Sequence, residues 1–303
     1  MKDRKRNLVF GWIAVGITLI VTSLWTYWGS IENFHEGWYS ESLFENIFMF
    51  LFQYLLVVII LIALALTSLK WKLPGAILHL VLAGFSIWFF YDAHFVVLWL
   101  MIVLPILVLG VLYYFGNPKP LKLAKSLIIS IPLVILIVIS IPQGIKVGQR
   151  VNDNDFGLRI VEGNGVTLAW APRGVGWPDE GGTWFTATQT CRYLSEDGTT
   201  LMEEEQNVWR LPSIDEAVRS MMLHGENAGG VWDEDAKVAV YEKTPDKETP
   251  LWNVHSPVIY YWTSQTDEAN EQRAYIIVYH GGVYTKTKAD GPNYLSFRAV
   301  KNV

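Results

Sequence analysis

Long uncharged apolar runs crowd the first 145 residues of this 303-residue chain and then stop. A helix needs about 20 mainly apolar residues to cross a ~30 Å hydrocarbon core. Five runs qualify, 8–27, 46–67, 73–90, 95–115 and 126–141, and none contains Asp, Glu, Lys or Arg. Inside a bilayer every backbone amide and carbonyl must find its partner within the protein, which makes such runs helices. The first run is too long for the apolar core of a cleaved signal peptide, and four more follow it, so it reads as a retained span. Residues 1–145 are therefore expected to form a five-span membrane domain, and residues 150–303 a polar domain of their own.

The placement of Lys and Arg orients this anchor, because short cytoplasmic loops collect positive charge. Lys2, Arg4, Lys5 and Arg6 precede the first run, Lys70 and Lys72 lie between the second and third, and Lys119, Lys122 and Lys125 between the fourth and fifth. The loops on the other side carry Glu32, Glu36, Glu41, Glu45 and Asp92 without a Lys or Arg. The chain is expected to sit in the plasma membrane with its N-terminus cytoplasmic and residues 150–303 extracytoplasmic. Aromatic residues such as Trp25, Trp28, Trp38, Tyr91 and Tyr113 cluster near the run ends, as an interfacial belt would.

An ion or substrate pathway usually leaves ionisable groups at mid-membrane depth. Here only Gln53, His79, Thr18 and Ser130 stand out. His79 reads as a neutral imidazole bonded to a neighbouring helix, and Pro105 and Pro132 as kinks. The spans are read as an anchor in the lipid bilayer, or as a docking surface for another membrane protein.

From Ile145 onward 15 Lys and Arg face 23 Asp and Glu, which makes nucleic acid an unsuitable partner. Cys191 is the one cysteine, so no intrachain disulfide and no cysteine-based zinc site can form. Trp184, Ala187, Cys191 and Leu194 recur at helical spacing and predict a first helix from Thr183 to near Gly198, with Cys191 on its buried face. Gly163-Asn164-Gly165 between two short apolar stretches reads as a hairpin. Ser213 and Glu216 have capping-box spacing at the start of a second helix. Residues 225–255 read as a long surface loop. Strands are expected over 258–263, 273–279, 283–287 and 294–300, with a tight turn at His280-Gly281-Gly282. Two helices on a small antiparallel sheet make this an α+β domain.

The run from Trp184 to Leu194, Trp209-Arg210-Leu211-Pro212-Ser213 with Glu216, Tyr261-Trp262-Thr263-Ser264, Ala274 with Gly282-Val283, and Phe297-Arg298-Ala299-Val300-Lys301 together resemble the bacterial Lcl C-terminal-like domain family. The resemblance spans roughly 158–303. It implies a fold similar to formylglycine-generating, or sulfatase-modifying factor, enzymes and, more distantly, to C-type lectins. Trp209, Pro212, Ser213 and Trp262 are then structural, and Arg210 and Arg298 are expected in internal ion pairs with acidic partners such as Glu216. The family pattern carries a cysteine in the first helix and another beside the last arginine. Cys191 matches the first, whereas Ala299 stands at the second.

That departure removes the cysteine pair on which formylglycine-generating enzymes rely, and no catalytic residue is assigned. His224, His255 and His280 lack the spacing of a metal triad, and no phosphate loop, nucleophile elbow or metalloprotease helix is present. No cofactor is predicted. Calcium is the one ion left open, through Asp233-Glu234-Asp235 and Asp179-Glu180, although neither stretch has the spacing of a calcium loop. The favoured expectation is a membrane-anchored binding module that presents Trp177, Trp232, Tyr241 and Trp252 on loops 172–182 and 225–256 to a glycan, cell-wall or protein ligand. The alternatives are an accessory subunit of a transport, secretion or envelope complex and, more weakly, a sulfatase-modifying type of enzyme.

Overall fold

The computed structural model describes residues 2–303. They divide into two compact units, one running to His35 and continuing over Ser42–Ile145, the other formed by Glu36–Glu41 together with Lys146–Val303. The second unit thus takes in the last residue of the first helix and the five that follow it, which separate domains over 1–145 and 150–303 do not anticipate.

The first unit is helical: α1 (Lys2–Glu36), α2 (Leu43–Met49), α3 (Leu56–Lys70), α4 (Lys72–Phe89), α5 (Leu104–Phe115) and α6 (Leu121–Gly148), the last of which runs on into the second unit. Four helices are long and apolar enough to cross a membrane: Arg4–His35, Lys72–Phe89, Val96–Phe115 and Leu121–Gly148. The run expected at 46–67 is broken. A π-helical turn over Phe50–Tyr54 ends at Leu55, and the pieces Leu43–Tyr54 and Leu56–Lys70 are bent by 63°. Widening the helix by one residue per turn interrupts the backbone ladder, a recognised cause of sharp bends. A second π-helical stretch, Val96–Val103, leads into α5, and α6 continues through Pro132 and Pro142.

Inside this unit His79 is 1% exposed, and its Nδ1 pairs with the Gly75 carbonyl at 2.8 Å. That partner is its own helix, not a neighbouring one as the sequence suggests. A Cβ on Gly110 would come within 2.9 Å of the His79 Cβ, so the close approach of α5 to α4 needs glycine there. Thr18 hydrogen-bonds the Tyr113 hydroxyl at 2.8 Å, tying α1 to α5. Thr18, Thr22, Thr26 and Ser30 form a buried file along α1, where Thr22 and Thr26 donate to the carbonyl four residues back. Their four-residue spacing is the signal that an inspection of single polar residues overlooks.

In the second unit the hairpin forms as expected: β1 (Arg159–Glu162) pairs antiparallel with β2 (Thr167–Trp170). The helix α7 (Trp184–Tyr193) starts at Thr183, whose hydroxyl accepts from the Thr186 amide, and stops five residues before Gly198 because Leu194 turns extended and bridges Leu201. A second helix, α8 (Ile214–Ser220), carries the full capping box of Ser213 and Glu216. The predicted loop 225–255 is irregular over most of its length, but it holds three short strands and is partly buried instead of lying on the surface. After β3 (Met222–Leu223) it contains β4 (Glu226–Asn227), β5 (Val231–Asp233) and β6 (Val238–Val240), and its stretch Asp246 to Thr249 is buried.

The main sheet consists of β7 (Tyr260–Asp267), β8 (Asn270–Val278), β9 (Val283–Thr287) and β10 (Leu295–Ser296), in the order β10-β7-β8-β9. The strand expected over 294–300 is split: β10 lies parallel to β7, while β11 (Val300–Asn302) leaves to pair with β2. Arg298 sits in the break, where its buried guanidinium needs the carbonyls around it.

Two buried clusters fill the unit. One gathers Trp170, Trp177, Trp252 and Tyr261 with α8, and the other sets α7 against Trp209, Trp262 and Phe297.

Candidate functional site

The aromatic residues expected to face a ligand are mostly core. Trp177, Trp232 and Trp252 are 4%, 8% and 1% exposed, and Trp252 stacks on Tyr261 with ring centroids 3.9 Å apart. A tryptophan gains more from burying its large ring than from showing it, the more so where its N–H finds a partner. The Trp177 indole donates to Tyr261 at 2.7 Å and the Trp232 indole to Glu234. Tyr241 is half-buried and donates to the Gly281 carbonyl at 3.0 Å, and burial raises its pKa.

The motif residues hold the unit together. Trp209 donates to the Ser195 carbonyl at 2.8 Å, Trp262 to the Gly182 carbonyl at 2.7 Å, and the Pro212 carbonyl accepts from the Ser264 amide. Arg210 meets Glu216 in a fork of two 2.6 Å bonds. Burial disfavours the Glu216 charge, but the Arg210 fork and the Ser213 amide outweigh it and hold the carboxyl below its usual range. Arg298 finds no carboxylate, contrary to expectation. It donates to the carbonyls of Ala171, Leu251 and Pro250 and lies 3.6 Å from the Trp177 ring centre. Cys191 is 2% exposed, and burial pushes its thiol up to about 12, which makes it unreactive.

The acidic stretches are internally occupied. Asp233 accepts from the amides of Asp235 and Ala236, Glu234 bonds Lys237 at 2.6 Å, and Asp179 binds Arg173. Among the described residues, no three His, Cys, Asp or Glu side chains are grouped to hold a metal.

What the second unit does present is a groove of about 480 Å³, lined by Tyr39, Glu41, Asn154, Phe156, Arg173, Asp179, Asn253 and His255 among others. Ligand sites commonly fall between roughly 300 and 1,000 Å³. Four segments build it. Asn154 adopts the left-handed conformation at φ 57°, where its amide is received by Asn152 Oδ1. Arg173 reaches both Asp179 oxygens from Nε, at 3.0 and 2.7 Å, and rests on the Phe156 ring at 5.5 Å. Asn253 Oδ1 receives the His255 amide at 3.0 Å, and His255 Nδ1 donates to the Trp38 carbonyl at 2.9 Å.

The fourth wall is the strap Glu36–Glu41. Its Gly37 has φ 84°, and a Cβ there would collide with Arg150 Nη1, so this turn is open only to glycine. Arg150 is in turn fixed by Asp246, at 2.8 Å from Nη2 and 3.0 Å from Nε. Replacing Gly37 by alanine should shift the strap and weaken the His255 contact, seen as faster amide exchange over 36–41 with the rest of the unit unchanged. Nothing in the sequence links Arg173, His255 and the strap, whose proximity depends on distant segments meeting.

Residues 1–127 match a family described as a domain of unknown function (DUF7670). The match is confined to the helical part of the chain. No curated protein and no solved structure matches this chain.

Proposed function

We propose that this chain is a membrane-anchored binding module whose second unit, on the outer face of the membrane, recognises a glycan, cell-wall or protein ligand. The observation that carries this reading is the groove lined by Arg173, Asp179, Asn154, Asn253 and His255, a mixed polar and aromatic recess with no metal cluster among the described residues. This groove takes the place of the surface expected at Trp177, Trp232, Tyr241 and Trp252, which are buried or internally bonded. A screen of envelope glycans and peptides against the full chain in nanodiscs should find a saturable ligand. The double substitution Arg173→Ala with Asp179→Ala should weaken it at least tenfold while the melting temperature stays put. If no member of either library binds, the reading falls.

The outward placement has support beyond the positive-charge pattern. Glu36–Glu41 and Lys146–Val303 belong to one compact unit, so the chain between them crosses the bilayer an even number of times. Lys72–Phe89, Val96–Phe115 and Leu121–Gly148 supply three crossings. On this reading the bent pair Leu43–Tyr54 and Leu56–Lys70 serves as the fourth crossing, and α1 brings the total to five, in keeping with a cytoplasmic N-terminus. Lys146 in the last turn of α6 and Arg150 just after it both lie against Asp246, at 3.8 and 2.8 Å, so they weigh little against this orientation.

Because Cys191 is buried, Glu196→Cys would be the one accessible thiol. A membrane-impermeant maleimide should label it in intact cells, and labelling only after lysis would invert the topology.

Kinship with the Lcl C-terminal-like domain family belongs to the same proposal. In its favour, Cys191 and Ala299, the positions where that family carries its cysteine pair, lie in one buried cluster.

A further inference from the structure

We infer that the groove is a two-part site for a neutral, hydroxyl-rich ligand, one or two saccharide rings in size, and that the strap Glu36–Glu41 is one of its walls. This inference rests on the binding-module reading and goes further by naming the ligand class and the parts of the chain that must act together.

The ligand class follows from the charges and the hydrogen-bonding groups. Arg173 and Asp179 neutralise each other, and Glu41 adds a negative charge. An anionic ligand such as a phosphate, a sulfate or an acidic peptide would meet no uncompensated cation in the groove. A cationic ligand would find one exposed carboxylate, a weak and salt-screened attraction. What remains in quantity is neutral capacity. Asn154 carries amide donors and an acceptor, Asn253 adds amide donors while its Oδ1 receives the His255 amide, and Ser256 adds a hydroxyl proton while its Oγ receives the Val258 amide. His255, whose Nδ1 is committed to the Trp38 carbonyl, keeps Nε2 as an acceptor while it is neutral.

The Arg173 and Asp179 pair holds donors and acceptors side by side. Adjacent hydroxyl groups can answer both at once, because each hydroxyl both donates and accepts. Tyr39 and Phe156 add ring surface for the apolar face of such a ligand. The volume of about 480 Å³ suits a small rigid ligand better than an extended chain.

The requirement for the strap follows from geometry. Tyr39, Ser40 and Glu41 line the groove from a segment more than a hundred residues away from Asn154, Arg173 and Asn253. Gly37 packed on Arg150 and the Trp38 carbonyl on His255 help to hold the strap. A soluble fragment that starts after α6 would contain the other walls and lack this one.

The test titrates the full chain in nanodiscs with neutral oligosaccharides, with their sulfated or carboxylated counterparts, and with acidic and basic peptides. Neutral saccharide should bind, the anionic versions should bind at least tenfold more weakly, and Tyr39→Ala should weaken the neutral ligand about tenfold with an unchanged melting temperature. Preference for an anionic sugar or a peptide would overturn the ligand class while leaving a binding module in place. Unchanged affinity in both Tyr39→Ala and a Tyr39→Ala, Glu41→Ala double variant would remove the strap from the site, again without touching the module. Absence of binding by every probe would take down the binding-module reading itself, and this inference with it.

Discussion

Arg298→Ala should destabilise the second unit by about 3–5 kcal/mol, the cost typical of removing one partner from a buried charged network. Arg298 is 0% exposed and donates at 2.9 Å to the Ala171 carbonyl, at 3.1 Å to Leu251, and to Pro250. These three acceptors belong to two segments that are distant in sequence, so one side chain fastens the end of β2 to the stretch before β7. Truncation leaves three carbonyls in the core without that donor, at about 1–3 kcal/mol for each one that finds no replacement. It also opens a void beneath Trp177, which now stacks on the guanidinium. Since whole domains are stable by only about 5–15 kcal/mol, much of the unit's margin would go. Amide exchange over 158–303 is the suitable readout, because it follows this unit alone. Arg298→Lys should recover part of the loss, as it keeps the charge but not the fork. Exchange indistinguishable from the parent in Arg298→Ala would show that the guanidinium is not the fastener.

A second large effect is expected at alkaline pH. Burial pushes the Cys191 thiol up to about 12 and the Tyr279 hydroxyl up to about 12, and raises Tyr241 and Tyr261 further still. In the unfolded chain these groups ionise near their ordinary values of 9.0 for the thiol and 10.0 for the phenols. A folded pKa above the unfolded one means that the unfolded state releases protons first, so stability is intact below about pH 9 and falls as pH climbs from there. Arg298 works the other way. Burial lowers it from 12.5 to about 9, so raising the pH through that window relieves the cost of its charge. One group gains while four lose, and at about 1.4 kcal/mol per pKa unit the net loss by pH 11 is several kcal/mol. Cys191→Ala should delay the onset by removing the earliest group to titrate. Equal stability at pH 8 and pH 11 would contradict the burial of these four side chains.

The membrane half was legible because hydrocarbon imposes one rule on every residue of a span. The gap in that reading was the break at Leu55: nothing about the apolar run 46–67 distinguishes a straight helix from a π-helical turn followed by a bend. Local signals in the second unit were equally clear. The Gly163-Asn164-Gly165 turn, the Thr183 cap and the Ser213 capping box are each fixed by groups within a few residues of one another.

The candidate site escaped because it is made of meetings between distant segments. Tyr39 and Asn154, or Trp38 and His255, carry no mutual signal in the sequence. The aromatics misled for a related reason. Trp232 and Trp252 lie in a stretch rich in polar residues, as surface rings would, yet both belong to the buried cluster that includes Trp170, Trp177 and Tyr261. Arg298 was taken for an ion-paired residue because side-chain partners can be guessed from composition, whereas backbone carbonyls cannot.

The pairing of β11 with β2 also bears on how the unit is made. Val300 lies opposite Trp170 and Asn302 opposite Leu168, so the sheet that opens the unit is closed by residues some 130 positions later. Pairings across such distances form late, since the loop must be closed before the contact gives anything back. Until residues 300–302 join it, the side of β2 that faces away from β1 has no partner, so the three-stranded sheet is complete only when the last residues of the unit are in place.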